Sequence, residues 1–205
     1  MGDLSNPILL ASSNPGKLRE FRAMAEASHS AAEFALFPGF SELTPFEESA
    51  PTFAENAAGK ALYYSRFTHQ IVLAEDSGLA VTALGGAPGV YSARYGGPEA
   101  TDADRNIKLL ADLRAANSAD RSARYVSVIA LAEKGRMMAV ISDCVEGTIL
   151  DAPRGEGGFG YDPLFFFPAL GKTFAEIPGD EKNLYSHRGK AFRRLLKFLA
   201  APAVV

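Results

Sequence analysis

The sequence predicts an α/β fold built on a long mixed β-sheet flanked by helices. Short apolar segments typical of buried strands alternate with segments whose apolar residues recur at helical spacing. Two longer segments, 123–133 and 136–149, are joined by Lys134-Gly135 and predict an antiparallel hairpin within that sheet. A hydrophobic content of 47% over 205 residues is ample for one domain that spans 1–205.

The first third of the chain predicts a strand, a turn, a helix, a strand, a loop and a second helix. Strands are expected at 8–12 and 33–37 because both segments are short and apolar. The first helix follows Asn14, and four apolar residues define its buried face: Leu18, Phe21, Met24 and Ala25. Thr52 is expected to cap the second helix after a loop rich in Pro, Gly, Ser and Glu.

The rest of the chain adds strands and two more helices. An apolar strand at 71–74 is expected to end at Glu75-Asp76, which would place two carboxylates at a strand end. Another short strand is expected at 79–84. The remaining elements are a helix opened by Thr101, a strand at 164–167 and a helix at 186–199.

Charge and cysteine content restrict the partners of this protein. With 21 basic and 24 acidic residues the formal net charge is −3, so we expect no broad cationic surface for nucleic acid or anionic lipid. Cys144 is the only cysteine, which excludes an intramolecular disulfide and a cysteine-rich zinc site. No apolar run approaches the ~18 residues of a membrane span. We therefore expect a cytoplasmic protein without membrane contact.

A polar turn between the first strand and the first helix is a candidate phosphate site. It consists of Ser12, Ser13, Asn14, Pro15, Gly16 and Lys17. Free backbone N–H groups and the helix dipole favour phosphate oxygens at such a turn, and Lys17 adds positive charge. A plain strand-to-helix turn with an Asn cap would have the same residues.

The segment Glu75-Asp76-Ser77-Gly78 is a candidate metal and catalytic site. Two carboxylates after a buried strand suit a hard cation such as Mg²⁺, and Asp76 could take a proton from an attacking water. A tight turn capped by Asp and Gly is the structural alternative. The loop glutamates would support the metal interpretation if they fold nearby: Glu47, Glu48 and Glu55.

The glycine-rich segment 155–162 predicts contact with a flat ring. Phe159 offers a ring for base stacking, and Asp162 could accept a hydrogen bond from a base N–H. Burial of Phe159 in a core is the alternative. Three donors suit a purine carbonyl or a phosphate, although a solvated basic helix face would look similar: Lys182, His187 and Arg188.

Taken in order, these motifs resemble the inosine triphosphate pyrophosphatase family over about residues 8–199. The most specific pieces are 74–79 (AEDSGL), 85–95 (GGAPGVYSARY), 157–165 (GGFGYDPLF) and 186–191 (SHRGKA). The resemblance implies hydrolysis of XTP, ITP or dITP to the monophosphate and pyrophosphate, which keeps these nucleotides out of nucleic acids. It also implies Mg²⁺, a homodimer, and two lobes with the nucleotide site in the cleft between them.

Carried over by position, the resemblance gives each motif a role. The catalytic residues would be Asp76, Lys17 and Lys60, and the metal ligands Asp76 and Glu47. The substrate-binding residues would be those of 12–17 together with Ser77, Phe159, Gly160, Tyr161, Asp162, Lys182, His187 and Arg188. Two positions depart from the family pattern: Ser12-Ser13 replaces the common Thr-Gly, and Glu75 replaces a frequent Asp.

Two alternatives to this function are open from the sequence. A Maf-like nucleotide pyrophosphatase would catalyse the same reaction on modified pyrimidine nucleotides, dTTP or UTP. A nucleotide-binding sensor would keep the pocket without turnover. The segments 186–189 and 157–162 weigh against the first, and the intact Glu75-Asp76 pair weighs against the second.

Overall fold

A seven-stranded mixed sheet organises the protein, according to a computed structural model that describes residues 6–201. The strands are β1 (Ile8–Leu10), β2 (Phe34–Leu36), β3 (Val72–Val81), β4 (Ser122–Glu133), β5 (Arg136–Ile149), β6 (Phe165–Phe167) and β7 (Lys172–Thr173). The helices are α1 (Pro15–Ala27), α2 (Phe53–Tyr64), α3 (Asp102–Ala115), α4 (Gly179–Tyr185) and α5 (His187–Ala200). The predicted α/β class is confirmed.

The strand order explains why the sheet is mixed. It runs β2-β1-β3-β4-β5-β6-β7. Strand β1 is parallel to both β2 and β3, with Leu9 opposite Ala35 and Val72, whereas β6 is antiparallel to β5 and β7. Helices return the chain between the parallel strands, as such connections require.

The predicted hairpin turn between β4 and β5 is confirmed. Lys134 and Gly135 both have left-handed φ values, 50° and 74°. A two-residue turn of this kind matches the right-handed twist of the strands on either side. It allows two long neighbouring strands to form from one continuous stretch of sequence.

The prediction that a strand ends at Glu75-Asp76 is wrong. Strand β3 continues through both carboxylates to Val81, and the predicted strand at 79–84 is the end of β3 followed by a 3-10 segment, Thr82–Leu84. Side-chain interactions support the backbone beyond Asp76, because the Leu79 N–H donates to Ser92 Oγ at 2.9 Å. A Cβ at Gly78 would lie 2.4 Å from the same oxygen, so the glycine permits this close approach.

The chain forms two compact units, each with its own core. Unit 1 contains the chain up to Asp76, Ser127–Asp143, and the chain from Gly189 onward; unit 2 contains Ser77–Val126 and Cys144–Arg188. The core of unit 1 is centred on the rings of Phe21, Phe34 and Phe192, and that of unit 2 on Tyr125, Phe165 and Phe174. The single domain predicted for 1–205 stays a prediction.

Helix starts follow the predicted caps. Thr52 Oγ1 accepts from the Glu55 N–H, and Thr101 forms a reciprocal capping box with Asp104 at the start of α3. These contacts fix the first turns of α2, which carries the candidate residue Lys60, and of α3. Between residues 6 and 201, none of the helices combines the length and apolar character needed to cross a bilayer.

Candidate active site

In unit 1, the polar turn after β1 leads directly into α1. Ser12 Oγ accepts from the Asn14 N–H at 3.1 Å, and Asn14 Oδ1 accepts from the Gly16 N–H at 2.8 Å. Ser13, Asn14 and Pro15 are exposed. The predicted sequence of strand, turn and helix start is therefore present, and it presents the first turn of α1 to solvent.

Lys17 of this turn pairs with a buried carboxylate on β3. Its Nζ lies 2.9 Å from Glu75 Oε2, and the Glu75 side chain has 0% exposure. Ser127 Oγ, on β4, donates to Glu75 Oε1 at 3.3 Å. A buried carboxylate is tolerated when its charge is compensated in this way, so Glu75 holds Lys17 in place.

Asp76 has the chemistry of a general base near neutral pH. Burial, the nearby charge of Glu48 and that of Glu75 raise the pKa of Asp76 to about 6, although a hydrogen bond from Asn56 and the charge of Lys60 oppose the shift. Asp76 Oδ2 is buried and accepts no hydrogen bond from the residues that the structure describes. A carboxylate in this state suits proton transfer from water.

The loop before α2 supplies the second charged pair of unit 1. Lys60, on α2, forms an ion pair with Glu48. Asn56 is 1% exposed and fastens the loop to α2, since its side chain accepts from the Ala50 N–H and donates to the Ala50 carbonyl oxygen. Glu48 is thus the loop glutamate whose charge reaches Asp76, and the role of Glu47 as a metal ligand stays a prediction.

The carboxylates of unit 1 fit a hard cation only in part. Within 6–201, no group of three His, Cys, Asp or Glu side chains forms a ready metal centre. The buried Asp76 Oδ2, which lacks a hydrogen-bond donor among those residues, and the neighbouring charges of Glu48 and Glu75 provide the oxygen ligands that Mg²⁺ prefers. Mg²⁺ commonly completes its sphere with water and substrate phosphates, so these residues are compatible with it.

In unit 2, the predicted stacking ring is exposed and surrounded by cations. Phe159 is 56% exposed. Lys182 Nζ lies 4.8 Å from its ring centroid and Arg188 Cζ lies 5.5 Å away. Glycines with left-handed φ values flank the ring, Gly158 at 74° and Gly160 at 62°. Phe159 is therefore not a core residue, and its face is available to a planar group.

Asp162 holds these groups together rather than facing solvent. It is 2% exposed, and its Oδ2 accepts from the Phe159 N–H at 2.9 Å and pairs with Lys182 Nζ at 2.5 Å. A Cβ at Gly158 would lie 2.1 Å from the same oxygen, so only glycine fits there. Tyr125 donates to Asp162 Oδ1 at 3.5 Å, and burial and Asp162 raise the pKa of Tyr125, which keeps its hydroxyl protonated.

The start of α5 contributes two more predicted residues to the group around Phe159 and Asp162. His187 and Arg188 are 6% and 5% exposed. The His187 ring stacks on Tyr125 with centroids 4.7 Å apart, and Arg188 Nη2 donates to Ser77 Oγ at 3.3 Å. The structure thus gathers six predicted residues into one group in unit 2: Ser77, Phe159, Asp162, Lys182, His187 and Arg188.

Tyr161 belongs to the core of unit 2. It is 3% exposed, and its hydroxyl donates to the Ser92 carbonyl oxygen at 2.8 Å. The Tyr161 side chain therefore anchors the glycine-rich loop to the core of unit 2, whereas Gly160 lies in the loop itself. Both stay predicted substrate-binding residues.

Several contributing residues were not predicted as site residues. Glu48 was considered only as a supporting charge, Asn56 only as part of the polar segment 55–60, and no signal pointed to Tyr125 or Ser127. Each of the last three is a common core or cap residue, and its contact with Asp76, Asp162 or Glu75 depends on tertiary structure.

Comparisons with known proteins find relatives over nearly the whole chain. The model of the Ham1 family matches residues 8–198. A dITP/XTP pyrophosphatase of Thermus thermophilus is 51% identical over 194 residues, which cover 93% of this chain and 90% of the relative. A dITP/XTP pyrophosphatase of Gloeobacter violaceus is 50% identical, with 92% of each chain covered. The structure of a HAM1 protein from Coxiella burnetii superimposes with a TM-score of 0.86 at 42% identity, covering 94% of this chain and 98% of that one.

Proposed function

This chain belongs to the Ham1 family, and on that premise we propose that it hydrolyses the non-canonical purine nucleoside triphosphates XTP, ITP and dITP. The products are the nucleoside monophosphate and pyrophosphate. The reaction removes these nucleotides before a polymerase can incorporate them into nucleic acid. The curated relatives that support this proposal are dITP/XTP pyrophosphatases.

One observation carries the catalytic part of the proposal. Asp76, with a pKa of about 6 and a buried oxygen that accepts no hydrogen bond within the described part of the chain, lies among two lysine–glutamate pairs. A base that is ionised at neutral pH can take a proton from water, while the nearby lysines can hold a polyanion. This combination suits hydrolysis of a phosphoanhydride.

The proposed step conserves atoms and charge. The oxygen of a water molecule forms a bond to the α-phosphorus of the nucleotide, and Asp76 accepts the proton that this water loses. The bond from the α-phosphorus to the bridging oxygen breaks, and its electron pair leaves with pyrophosphate. Lys17 and Lys60, oriented by Glu75 and Glu48, bind the pyrophosphate oxygens as their charge increases.

Mg²⁺ is the cofactor that we propose. Asp76 would hold it with a loop glutamate, either Glu48, whose charge affects Asp76, or Glu47, which the family resemblance implies. When bound, the ion neutralises charge on the triphosphate and on the leaving group. The turn of 12–17, with 13–15 exposed, would bind phosphate oxygens at the start of α1, where Lys17 adds positive charge.

The group in unit 2 is proposed to select the base. Phe159 stacks on the purine, and stacking of this kind contributes about 1–3 kcal/mol per base. Lys182, His187 and Arg188 supply donors that suit a 6-oxo group. A 6-amino group would leave a buried donor facing a donor, which costs about 1–3 kcal/mol.

Two further proposals concern location and assembly. The protein works in the cytoplasm, since a single cysteine, Cys144, suits a reducing compartment, and it works as a homodimer, which the family resemblance implies. Light scattering would test the second proposal, because the chain has a mass of 21.8 kDa and a dimer would have about twice that mass.

The deciding experiment is pyrophosphate release from ITP, XTP, dTTP, ATP and GTP at equal concentration, with Mg²⁺ and with EDTA. We expect metal-dependent turnover of ITP and XTP far above that of ATP and GTP. Preference for dTTP would instead indicate a Maf-like enzyme. Tight nucleotide binding without turnover would indicate a sensor.

A further inference from the structure

The glycine-rich loop of unit 2 is fastened to the first turns of α3. Asp102 Oδ2 accepts from the Gly160 N–H at 2.7 Å, and Asn106 Nδ2 donates to the Gly160 carbonyl oxygen at 3.0 Å. Asp102 and Asn106 are four residues apart on the helix, so their side chains lie on one face. We call this pair the α3 clamp. It holds the two peptide groups on either side of Gly160, and one of these is the peptide bond to Phe159.

The clamp acts next to a second anchor of the loop, because the Phe159 N–H donates to Asp162 Oδ2 and the Asp162 N–H donates to the Phe159 carbonyl oxygen. Gly160 has a φ of 62°, and a Cβ built on it would meet no heavy atom within 4 Å in the part of the chain that is described. Glycine is the most flexible residue, so the two peptide groups of Gly160 depend on the clamp for their orientation. The orientation of the preceding residue, Phe159, therefore depends on both Asp162 and the clamp.

The acceptor of the clamp is itself held in its ionised form. Burial raises the pKa of Asp102, but the hydrogen bond from Gly160 and the neighbouring Arg105 outweigh it, so the net shift is downward. Arg105 pairs with the second oxygen of Asp102 and donates to the Ala93 and Ala100 carbonyl oxygens. Asp102 is thus charged and fixed in position at neutral pH.

The donor of the clamp, Asn106, has a second polar atom whose hydrogen bonding is not satisfied by the described residues. Asn106 Oδ1 is buried and accepts no hydrogen bond within residues 6–201. A buried acceptor without a donor disfavours the folded state and calls for an explanation. The contact from Asn106 Nδ2 to Gly160 supplies one, since an apolar side chain here would avoid the unsatisfied atom but release the loop.

We propose that Asp102 and Asn106 are positioning residues that set the angle at which the Phe159 ring meets the purine base. This inference rests on the proposed function, because it assigns the ring to base stacking. Neither residue touches the triphosphate in that scheme. Loosening the clamp should therefore weaken recognition of the base and leave recognition of the phosphates unchanged.

The test is Asn106→Leu, which keeps a side chain of similar size without charge but removes the N–H donor to Gly160. We expect KM for ITP to rise about tenfold, the effect of losing one hydrogen bond, with kcat changed less than about twofold. The inhibition constant of inorganic tripolyphosphate, which has no base, should not change. An unchanged KM for ITP would overturn the proposal, and so would an equal loss of affinity for ITP and tripolyphosphate.

Three variants of α3 serve as controls. Ile107→Ala changes a 68% exposed neighbour and should leave KM at its wild-type value. Asp102→Asn retains an oxygen that can accept from Gly160, so its KM should lie nearer to wild type than that of Asp102→Ala. Equal effects of the two Asp102 variants would contradict a positioning role for the acceptor.

Binding of IMP separates this proposal from the proposed function. If the wild-type protein binds IMP but does not hydrolyse ITP, the proposed function fails and the clamp is judged by calorimetry alone. Asn106→Leu should then bind IMP about tenfold more weakly than wild type. Equal IMP affinity would overturn the clamp.

Discussion

The candidate groups in unit 1 and unit 2 place their cations beside different partners. In the candidate group of unit 1 both lysines are paired with glutamates, Lys17 with Glu75 and Lys60 with Glu48, and the remaining carboxylate, Asp76, is the residue with the raised pKa. The local charges nearly balance. Such a group can exchange its ion pairs for a polyanion and a cation without large rearrangement.

In unit 2 the cations lie around an aromatic face. Lys182 and Arg188 are both buried and both lie near the exposed ring of Phe159. Lys182 pairs with Asp162 and Arg188 donates to Ser77, so both cations are held beside the ring. The proposed function assigns catalysis to the first group and selection of the base to the second, so we expect variants in unit 1 to change rate and variants in unit 2 to change preference.

The largest effect that would break this comparison is expected at Asp76. Asp76→Asn removes the proton acceptor and should lower kcat for ITP by about 10²–10⁴-fold, while the affinity for ITP and the preference over ATP persist. Steady-state release of pyrophosphate and calorimetric binding would measure the two quantities. A variant that keeps its rate would remove Asp76 from the catalytic role.

A smaller effect is expected for Arg188 in unit 2. Arg188→Ala should lower the ratio of kcat/KM for ITP to that for ATP by about tenfold to a hundredfold, since a donor to the 6-oxo group is lost. The rate on ATP should hardly change. Arg194→Ala is the matched control, because this arginine lies on the same helix but pairs with Asp143. An unchanged ratio would mean that Arg188 is not the main discriminator.

The smallest expected effect is a change in thermal stability with pH, and it tests the charge on Asp76. The pKa of Asp76 is raised from 3.8 to about 6, so its ionisation opposes folding above pH 6 and has no such effect below about pH 4. In EDTA, Asp76→Asn should therefore raise Tm at pH 8, and the difference should close as the pH falls from 6 to 4. A gain of ~1 kcal/mol corresponds to about 2–4 °C at this chain length.

Asp143→Asn, also in unit 1, is expected to change Tm in the opposite direction from Asp76→Asn. Asp143 pairs with Lys190 at 3.1 Å and Arg194 at 2.8 Å, so its removal should lower Tm at pH 8. A decrease in Tm for both variants would contradict the assignment of Asp76 as a destabilising buried charge.

Local signals in the sequence were sufficient for much of the fold. The caps at Thr52 and Thr101 and the turn at Lys134-Gly135 depend on neighbouring residues alone, and all three are present as predicted. The family resemblance is confirmed by the match over 8–198. Helix α4 was not predicted, because its first residues, Gly-Asp-Glu after a proline, have the composition of a turn.

The candidate site was harder to predict where it depends on tertiary contacts. Four polar or small residues in succession look like the end of a strand, yet β3 continues through them because Ser92 packs against Gly78 and bonds the next residue. Likewise, sequence cannot distinguish Glu47 from Glu48, since only the folded loop decides which carboxylate approaches Asp76. Site residues were predictable by type and motif, but their electrostatic partners were not.

The exposed ring of Phe159 also offers a spectroscopic handle. The chain contains no tryptophan, so its intrinsic emission comes from its seven tyrosines. In Phe159→Trp a single indole would stand at a position that is about half exposed, with Lys182 and Arg188 beside it. A stacked purine would quench that indole, and stopped-flow fluorescence could then follow the arrival of the base separately from the release of pyrophosphate.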